Sequence, residues 1–509
     1  MKNVIILICT VLSITAYAQF SPQSKKITEK FFPDSEAILN TTPALQKKRG
    51  FTNYKELMAF LNTVKSSHSD KVEISFIGKS QKGKDIPIIK INVPNSKDKI
   101  KVWMQGGVHG NEPASTETML YLIDRLLNDN SHENLMEHLD LAIVPMANID
   151  GYLKNDRYAA NGLDLNRDQT KLMAPESIAI KQAYSDFNPD VSVDFHEYRP
   201  YRRDFARMGD FGITNMYDVM FLRSSNLNIP ENLRVLTERL FIENARKPLD
   251  VFGYTHHPYI STTKVDGEIH INQGSISSRS FATNTALTNT ISALIEIRGV
   301  GLGKTSFKRR IHSGFSIALS FLRTATENIA LVKDEIEQAK RQQNDVVVEY
   351  KRGIYQDNVS FIDVNSNEYI DINLTIRDAE KATSTLTRKR PKAYIVEANQ
   401  TDIINKLTIL GVDIEYLENE KTYDVETYVI DNYSAKPIRY EKMKLQTVSV
   451  DLKKQQLSFP KGTALVYMNQ RRANIVPEIL EPEAPNSLVS FGVIKTKKGD
   501  TLPIYRLLN

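Results

Sequence analysis

A single cysteine serves 509 residues, and it is Cys9, close to the start of the chain. No disulfide framework can be built from one thiol, so stability has to come from core packing or from bound metal. An excess of charge of one sign is missing too. The net charge of +5 is small for this length and the basic residues are scattered, which gives nucleic acid no footprint. Beyond the first eighteen residues no apolar run is long enough to cross a bilayer. Internal repeats and low-complexity tracts are also lacking. What remains is 41% apolar and 25% charged residues, the balance of a soluble globular protein, in a chain long enough for two or more domains.

The one early apolar run reads as a targeting segment. Met1-Lys2 provides a positive start, Val4 to Ile14 an apolar core, and Ala16-Tyr17-Ala18 the small residues of a cleavage site before Gln19. A membrane anchor is the alternative, but the run is too short to span and a cleavage signature ends it. Cys9 lies inside the apolar core, the wrong surroundings for lipid attachment. The expectation is a signal peptide over 1–18 and a polar N-terminal extension over 19–49 that wraps the surface. The mature protein is then periplasmic or secreted, without cysteine and without a stable membrane anchor.

From residue 50 the pattern becomes regular. Thr52 to Leu61 has the spacing of an amphipathic helix, with Thr52 as a possible cap. Val72 to Gly78 and Ile86 to Val93 alternate as strands around the turn Ser80 to Lys84, which predicts a hairpin. Lys99 to Met104 is a further strand, broken by Gly106-Gly107 and followed by His109-Gly110-Asn111-Glu112. Three residues apart, His109 and Glu112 would share one face of a helical turn, and an imidazole with a carboxylate suits zinc. H-x-x-E spacing also arises by chance, so this pair needs further ligands. Pro113 to Leu127 reads as a helix and Leu139 to Pro145 as a buried strand, and such alternation implies an α/β sheet.

Three later blocks offer what the pair lacks. Asn148 to Tyr152 leads to Arg157 and to Asp164-Leu165-Asn166-Arg167, a polar stretch that could equally be a solvated loop. Val191 to Phe195 is a strand with His196 at its C-terminal end, where open α/β sheets place their ligands. A lone histidine is more often structural, but a third protein ligand is what a catalytic zinc needs while keeping a position for water. Glu296 interrupts the apolar strand Leu294 to Ile297, where a carboxylate is costly unless paired or near metal, and Arg298 is the bland partner for it. Lys308 to His312 is a basic cluster that reads as a solvated face or a helix end.

In this order, the four blocks resemble the zinc carboxypeptidase (metallocarboxypeptidase) family, over roughly residues 50 to 315. The hairpin around Ile77-Gly78-Lys79-Ser80 and Gly83 to Pro87 is similar as well. The resemblance implies that His109, Glu112 and His196 bind one zinc per chain, with Glu296 as the general base for a zinc-activated water. It implies that Arg157 polarises the scissile carbonyl, and that Asn166 and Arg167 hold the substrate's C-terminal carboxylate. The implied substrate is a peptide or peptide-like molecule with a free C-terminal carboxylate. The chemistry is coherent by itself: a Lewis acid, a nearby base and guanidinium charge where negative charge develops. Tyr254 and Tyr259 are both candidates for the family's substrate-covering tyrosine, and the base of the specificity pocket lies somewhere within Gly274 to Leu287.

Phe315 to Arg341 has the spacing of one long helix that closes a catalytic domain over 50–341. Residues 342–509 contain several strand patterns, a helix over Thr401 to Leu410 and no histidine. They read as an accessory mixed α/β, strand-rich domain, with a mainly β domain as the alternative. The expected fold class is therefore α/β, with a zinc-carboxypeptidase-like mixed central sheet flanked by helices. Two rival functions stay open: a zinc amidase or deacylase on cell-wall peptides or acyl-amino acids, and a non-catalytic binding protein on the same scaffold. A retained Glu296 speaks against the second, because a binding module needs no general base.

Overall fold

The computed structural model describes residues 23–94, 98–202, 205, 208 and 212–508. The expected signal peptide and Cys9 lie outside them. Eight strands form the central sheet, in the order Val72–Lys79, Asp85–Asn92, Leu139–Val144, Ile100–Gln105, Val191–Tyr198, Ile291–Arg298, Val219–Arg223, His256–Pro258. Its middle is parallel, with Ile100–Gln105 and Ile291–Arg298 flanking Val191–Tyr198, and its edges include antiparallel pairs, so the sheet is mixed. Val191–Tyr198 is buried along its whole length, as expected of a strand covered on both faces. Helix Pro113–Asn128 packs on that strand and against helix Phe307–Glu327, while helix Pro175–Phe187 lies against Val72–Lys79. Trp103 meets Tyr184 of the latter helix edge to face, with centroids 5.5 Å apart.

A second, five-stranded sheet runs Ile213–Asn215, Val346–Asp363, Tyr369–Arg388, Glu268–Gln273, Ile260–Val265. It joins strands from both sides of residue 341. A third sheet of six antiparallel-paired strands is built from residues 393–507. The largest apolar cluster is continuous from Leu57 through Tyr394 to Ile504.

Several local expectations change. Asn53, not Thr52, caps the first amphipathic helix: its Oδ1 accepts from Glu56 N at 3.0 Å while Glu56 Oε2 accepts from Asn53 N at 2.8 Å. Thr52 is buried and donates instead to Glu117 Oε2 at 2.6 Å. The long helix begins at Phe307 and is split at Asn328 into Phe307–Glu327 and Ile329–Arg341. The basic cluster therefore falls within its first turns, and Arg309, Arg310 and His312 are buried rather than solvated. Arg309 pairs with Asp218, its Nε donating at 2.7 Å, and Arg310 pairs with Glu197, its Nε donating at 2.9 Å. The segment after residue 22 does more than wrap: it forms helix Lys25–Phe31 and buries Ile27, Phe32, Thr42 and Ala44. Strands beyond 341 are longer than their patterns, 18 and 20 residues in the first pair.

Candidate active site

The three central strands run in parallel, so their C-terminal ends meet at one edge of the sheet. Ile100–Gln105 leads into the turn that carries His109 and Glu112. Val191–Tyr198 carries His196, and Ile291–Arg298 carries Glu296 directly opposite His196 in register. Residues level with one another in a parallel pair present their side chains to the same face, so Glu296 and His196 share one. Arg298 does not neutralise Glu296. Its guanidinium donates to Gln23 Oε1 and Thr214 Oγ1 and lies over the Phe32 ring.

Two glycines let the turn form. Gly107 has a φ of +67°, and a Cβ there would lie 2.6 Å from Thr116 Oγ1. At Gly110 a Cβ would fall 2.1 Å from the backbone of Gly151 and Tyr152, so the His109 turn and the 149–152 helical turn touch backbone to backbone.

His109, Glu112 and His196 converge and are buried. Glu112 Oε1 is 2.7 Å from His109 Nδ1, Glu112 Oε2 is 2.9 Å from His196 Nδ1, and the two Nδ1 atoms are 3.1 Å apart. The far ring nitrogens are already engaged. His109 Nε2 lies 3.1 Å from Asp164 Oδ1 and His196 Nε2 lies 2.8 Å from Asp194 Oδ2. Ionised carboxylates only accept, so each Nε2 carries a proton, and each Nδ1 faces inward beside Glu112, where a cation can take the place of a proton. Two imidazole nitrogens and a carboxylate then converge on one place, with Arg157 Nη1 3.3 Å from His109 Nδ1 at its side. A cation fits that donor set, and two nitrogens with one oxygen are ligands suited to zinc.

The electrostatics agree. Burial alone would raise the Glu112 carboxyl, but His109 and His196 hold it well below its usual range. Burial disfavours charge on His196, yet Asp194 and Glu112 keep its pKa well above the ordinary value. Glu296 behaves oppositely. Burial, reinforced by the Glu112 charge and opposed by His196, pushes its pKa up to about 7. One of its oxygens, Oε2, is buried without a hydrogen-bond partner. An unused carboxylate oxygen beside a metal-ligand set is what a general base for an incoming water requires.

Arg157 is anchored through Nε and Nη2 to Asp164 Oδ2, at 3.0 and 2.8 Å, with Nη1 3.7 Å from Glu112 Oε1. Those carboxylates outweigh the burial that opposes its charge. Asn166 accepts from Phe281 N at 2.7 Å through Oδ1 and sets Nδ2 3.3 Å from His196 Nε2. Arg167 donates to the Asn166 carbonyl at 2.8 Å. His109, Arg157, Asn166, Arg167 and Glu296 all line one cavity of about 640 Å³. Tyr259 lines it too, whereas the Tyr254 hydroxyl sits 2.8 Å from His312 Nδ1 and its ring lies under Arg309.

Reading the sequence missed the residues that orient the ligands. Asp164 lies in the stretch read as a polar loop and Asp194 in the strand before His196, and pattern gives neither a role. Gln105 links Trp103 Nε1 to Asp194 Oδ1, at 3.1 and 3.0 Å, and so braces His196 from the sheet. Glu197 N donates to Glu112 Oε2 at 3.0 Å, and Glu197 Oε2 accepts from Ala114 N at 2.8 Å. The one available signal was polarity: Gln105, Asp194 and Glu197 are polar residues in strands rich in apolar ones.

Comparison with known proteins is consistent with this site. A family model described as zinc carboxypeptidase matches residues 57–200. That interval holds His109, Glu112, Arg157, Asn166, Arg167 and His196 and ends before Glu296. Carboxypeptidase 2 of Trichophyton rubrum is 31% identical over 441 residues, covering 84% of this chain and 81% of that protein. A probable carboxypeptidase 2 of Arthroderma benhamiae is 29% identical over 438 residues, covering 84% and 80%. Among solved structures, the carboxypeptidase A from Helicoverpa armigera is 18% identical with a TM-score of 0.43, covering 56% of this chain and 78% of that one. The similarity to the two fungal proteins is longer than residues 50–341, so it extends into the C-terminal half.

Proposed function

Because the chain belongs to the zinc carboxypeptidase family, we propose that it is an exported enzyme that removes residues from peptide C-termini, with one zinc held by His109, Glu112 and His196. The observation that carries this reading is the convergence of three lone-pair donors beside a partly desolvated, unpaired Glu296. Bound there, zinc would supply Lewis acidity toward the carbonyl and lower the pKa of a water.

The chain's own residues do the rest. Asp164 and Asp194 hold the Nε2 protons and so keep both Nδ1 atoms free for metal. Glu296 takes the proton of the attacking water and passes it to the leaving amine. Arg157, fixed by Asp164, puts positive charge where the carbonyl oxygen becomes negative. Arg167, with Asn166 lining the same cavity, receives the terminal carboxylate, for which a planar guanidinium is well shaped. Tyr259, which lines the same cavity, is the tyrosine this reading assigns to cover the bound residue. A division near 341 is part of the same proposal, with 342–509 an added half that completes the second sheet and does not fold apart from it, as is cleavage before Gln19.

A matched pair of peptides with free and amidated C-termini tests the reading. The free form is cleaved and the amidated form is not, and metal analysis finds zinc. Arg167→Ala raises KM for the free peptide more than it lowers kcat. Equal cleavage of both forms, unchanged by Arg167→Ala, would leave a zinc hydrolase but reject the carboxypeptidase.

A further inference from the structure

The cavity has more positive charge than a terminal carboxylate can use. Six arginines line it against two carboxylates, Glu197 and Glu296. Glu197 is committed to Arg310 and Ala114 N, and Arg157 to Asp164. Among the described residues, Arg167, Arg199, Arg279 and Arg352 have no carboxylate in salt-bridge contact. If Arg167 takes the terminal carboxylate, Arg199, Arg279 and Arg352 are left over, and Arg279 and Arg352 are the two that other groups hold in place.

Both are built in rather than dangling. Arg352 lies on strand Val346–Asp363, and its Nη1 donates to the carbonyls of Gln273 and Arg377 at 2.8 and 3.0 Å. Its Nη2 donates to Gly274 O at 3.3 Å. Neutral carbonyls orient a guanidinium without cancelling its charge, and Asp378 acts on it only at longer range. Arg279 lies over the Tyr440 ring, 4.9 Å from its centroid, and its Nε is buried without a partner. Tyr440 itself comes from the tip of the hairpin formed by Lys421–Tyr440 and Met443–Phe459. That tip is tied to the site: Glu441 Oε2 accepts from Asp164 N at 2.8 Å, and Lys442 Nζ donates to Asn161 O.

Desolvation weighs on both arginines, and Arg167 adds like charge to Arg279. An uncompensated cation in a half-closed cavity is costly, and an entering anion relieves it. Leu222, Ile271 and Leu294 line the same cavity and suit the methylenes that would carry such an anion.

We propose that Arg279 and Arg352 form a second anion subsite, which selects substrates whose C-terminal residue bears a side-chain carboxylate, glutamate or aspartate. The proposal rests on the carboxypeptidase reading and makes the C-terminal half a part of the specificity pocket.

The test is kcat/KM for peptides identical except for a final Glu, Gln, Phe or Lys. The zinc-loaded wild type favours Glu over Gln by about 10- to 100-fold, the worth of a charged hydrogen bond. Arg279→Gln and Arg352→Gln each shrink that ratio, mainly through KM for the Glu peptide, and Arg352→Lys restores part of it. A ratio within one preparation is insensitive to how much enzyme is folded, so partial misfolding does not mimic the effect. Wild type that cleaves the Gln, Phe or Lys peptide as well as the Glu peptide would overturn the subsite alone. A Glu-to-Gln ratio unchanged in both Gln variants would do the same. Failure to cleave any of the four would overturn the carboxypeptidase reading and the subsite with it.

Discussion

At the scale of single residues, the proposed roles give binding and chemistry to different side chains. His196 supplies one of three converging donors and is tied by Asp194, so His196→Ala removes a ligand that no neighbour replaces. Zinc measured after exhaustive dialysis should fall far below one per chain in that variant. Full retention would show the ligand assignment to be wrong. Glu296 makes no contact that metal binding needs, and Glu296→Gln keeps its shape while removing its basicity. Zinc content should stay, while kcat falls about a hundred- to ten-thousand-fold. A variant that keeps wild-type turnover would transfer the base role to another group.

At the scale of elements, two helices show how the sheet edge is held in place. Gly110 allows the His109 turn to press on the 149–152 turn, and its Cβ would meet backbone that cannot swing aside. Gly110→Ala is expected to cost about 1 to 3 kcal/mol or more of stability and to weaken zinc binding with it. Denaturant unfolding with a zinc titration checks both, and an unperturbed variant would mean that the two turns separate easily. On the other face, helix Pro175–Phe187 buries Lys181. Its Nζ donates to Asn284 Oδ1 at 2.8 Å and lies 4.4 Å from the Phe281 ring centroid. Burial, reinforced by Arg472 and opposed by Asp194, holds its pKa well below the ordinary value. Between the folded value and the unfolded one, the unfolded chain keeps a proton that the folded chain has lost, so stability rises with pH across that window. Urea unfolding followed as the pH rises toward the ordinary lysine value should therefore favour wild type increasingly over Lys181→Met. A constant difference would mean that Lys181 stays charged in the fold.

At the scale of the whole molecule, the C-terminal half is woven into the catalytic part. Tyr369–Arg388 pairs in parallel with Glu268–Gln273, and Val346–Asp363 pairs with Ile213–Asn215. Helix Thr401–Ile409 packs on Pro175–Phe187, and Asn226 Nδ2 donates to the buried Glu478 at 2.8 Å. A chain cut after Arg341 would expose the edge of Glu268–Gln273 and the apolar faces of the shared core, and unpaired edges and open cores aggregate. Residues 19–341 expressed alone should be insoluble or inactive. A soluble fragment with full activity would show the later strands to be dispensable to the fold.

Local pattern was enough for much of this. Alternation or apolar runs marked six of the eight strands of the central sheet, because a strand half or fully covered writes its burial into every second residue or into a continuous apolar run, while Val219–Arg223 and His256–Pro258 went unmarked. Helical spacing marked the helix after Pro113, and the order of His109, Glu112, Asn166, Arg167, His196 and Glu296 carries the resemblance to zinc carboxypeptidases that implies a metal site. What pattern could not carry was any contact between residues far apart in the chain. Arg309 and Arg310 read as solvated charge because Asp218 and Glu197, 91 and 113 residues earlier, are their partners only once the sheet has formed. Tyr254 and Tyr259 are equivalent as letters, and the fold alone turns one toward His312 and the other into the cavity. The same holds for Arg352 and Tyr440. They reach the site from beyond residue 341 because strand pairing, a long-range interaction, brings the second half of the chain back over the first.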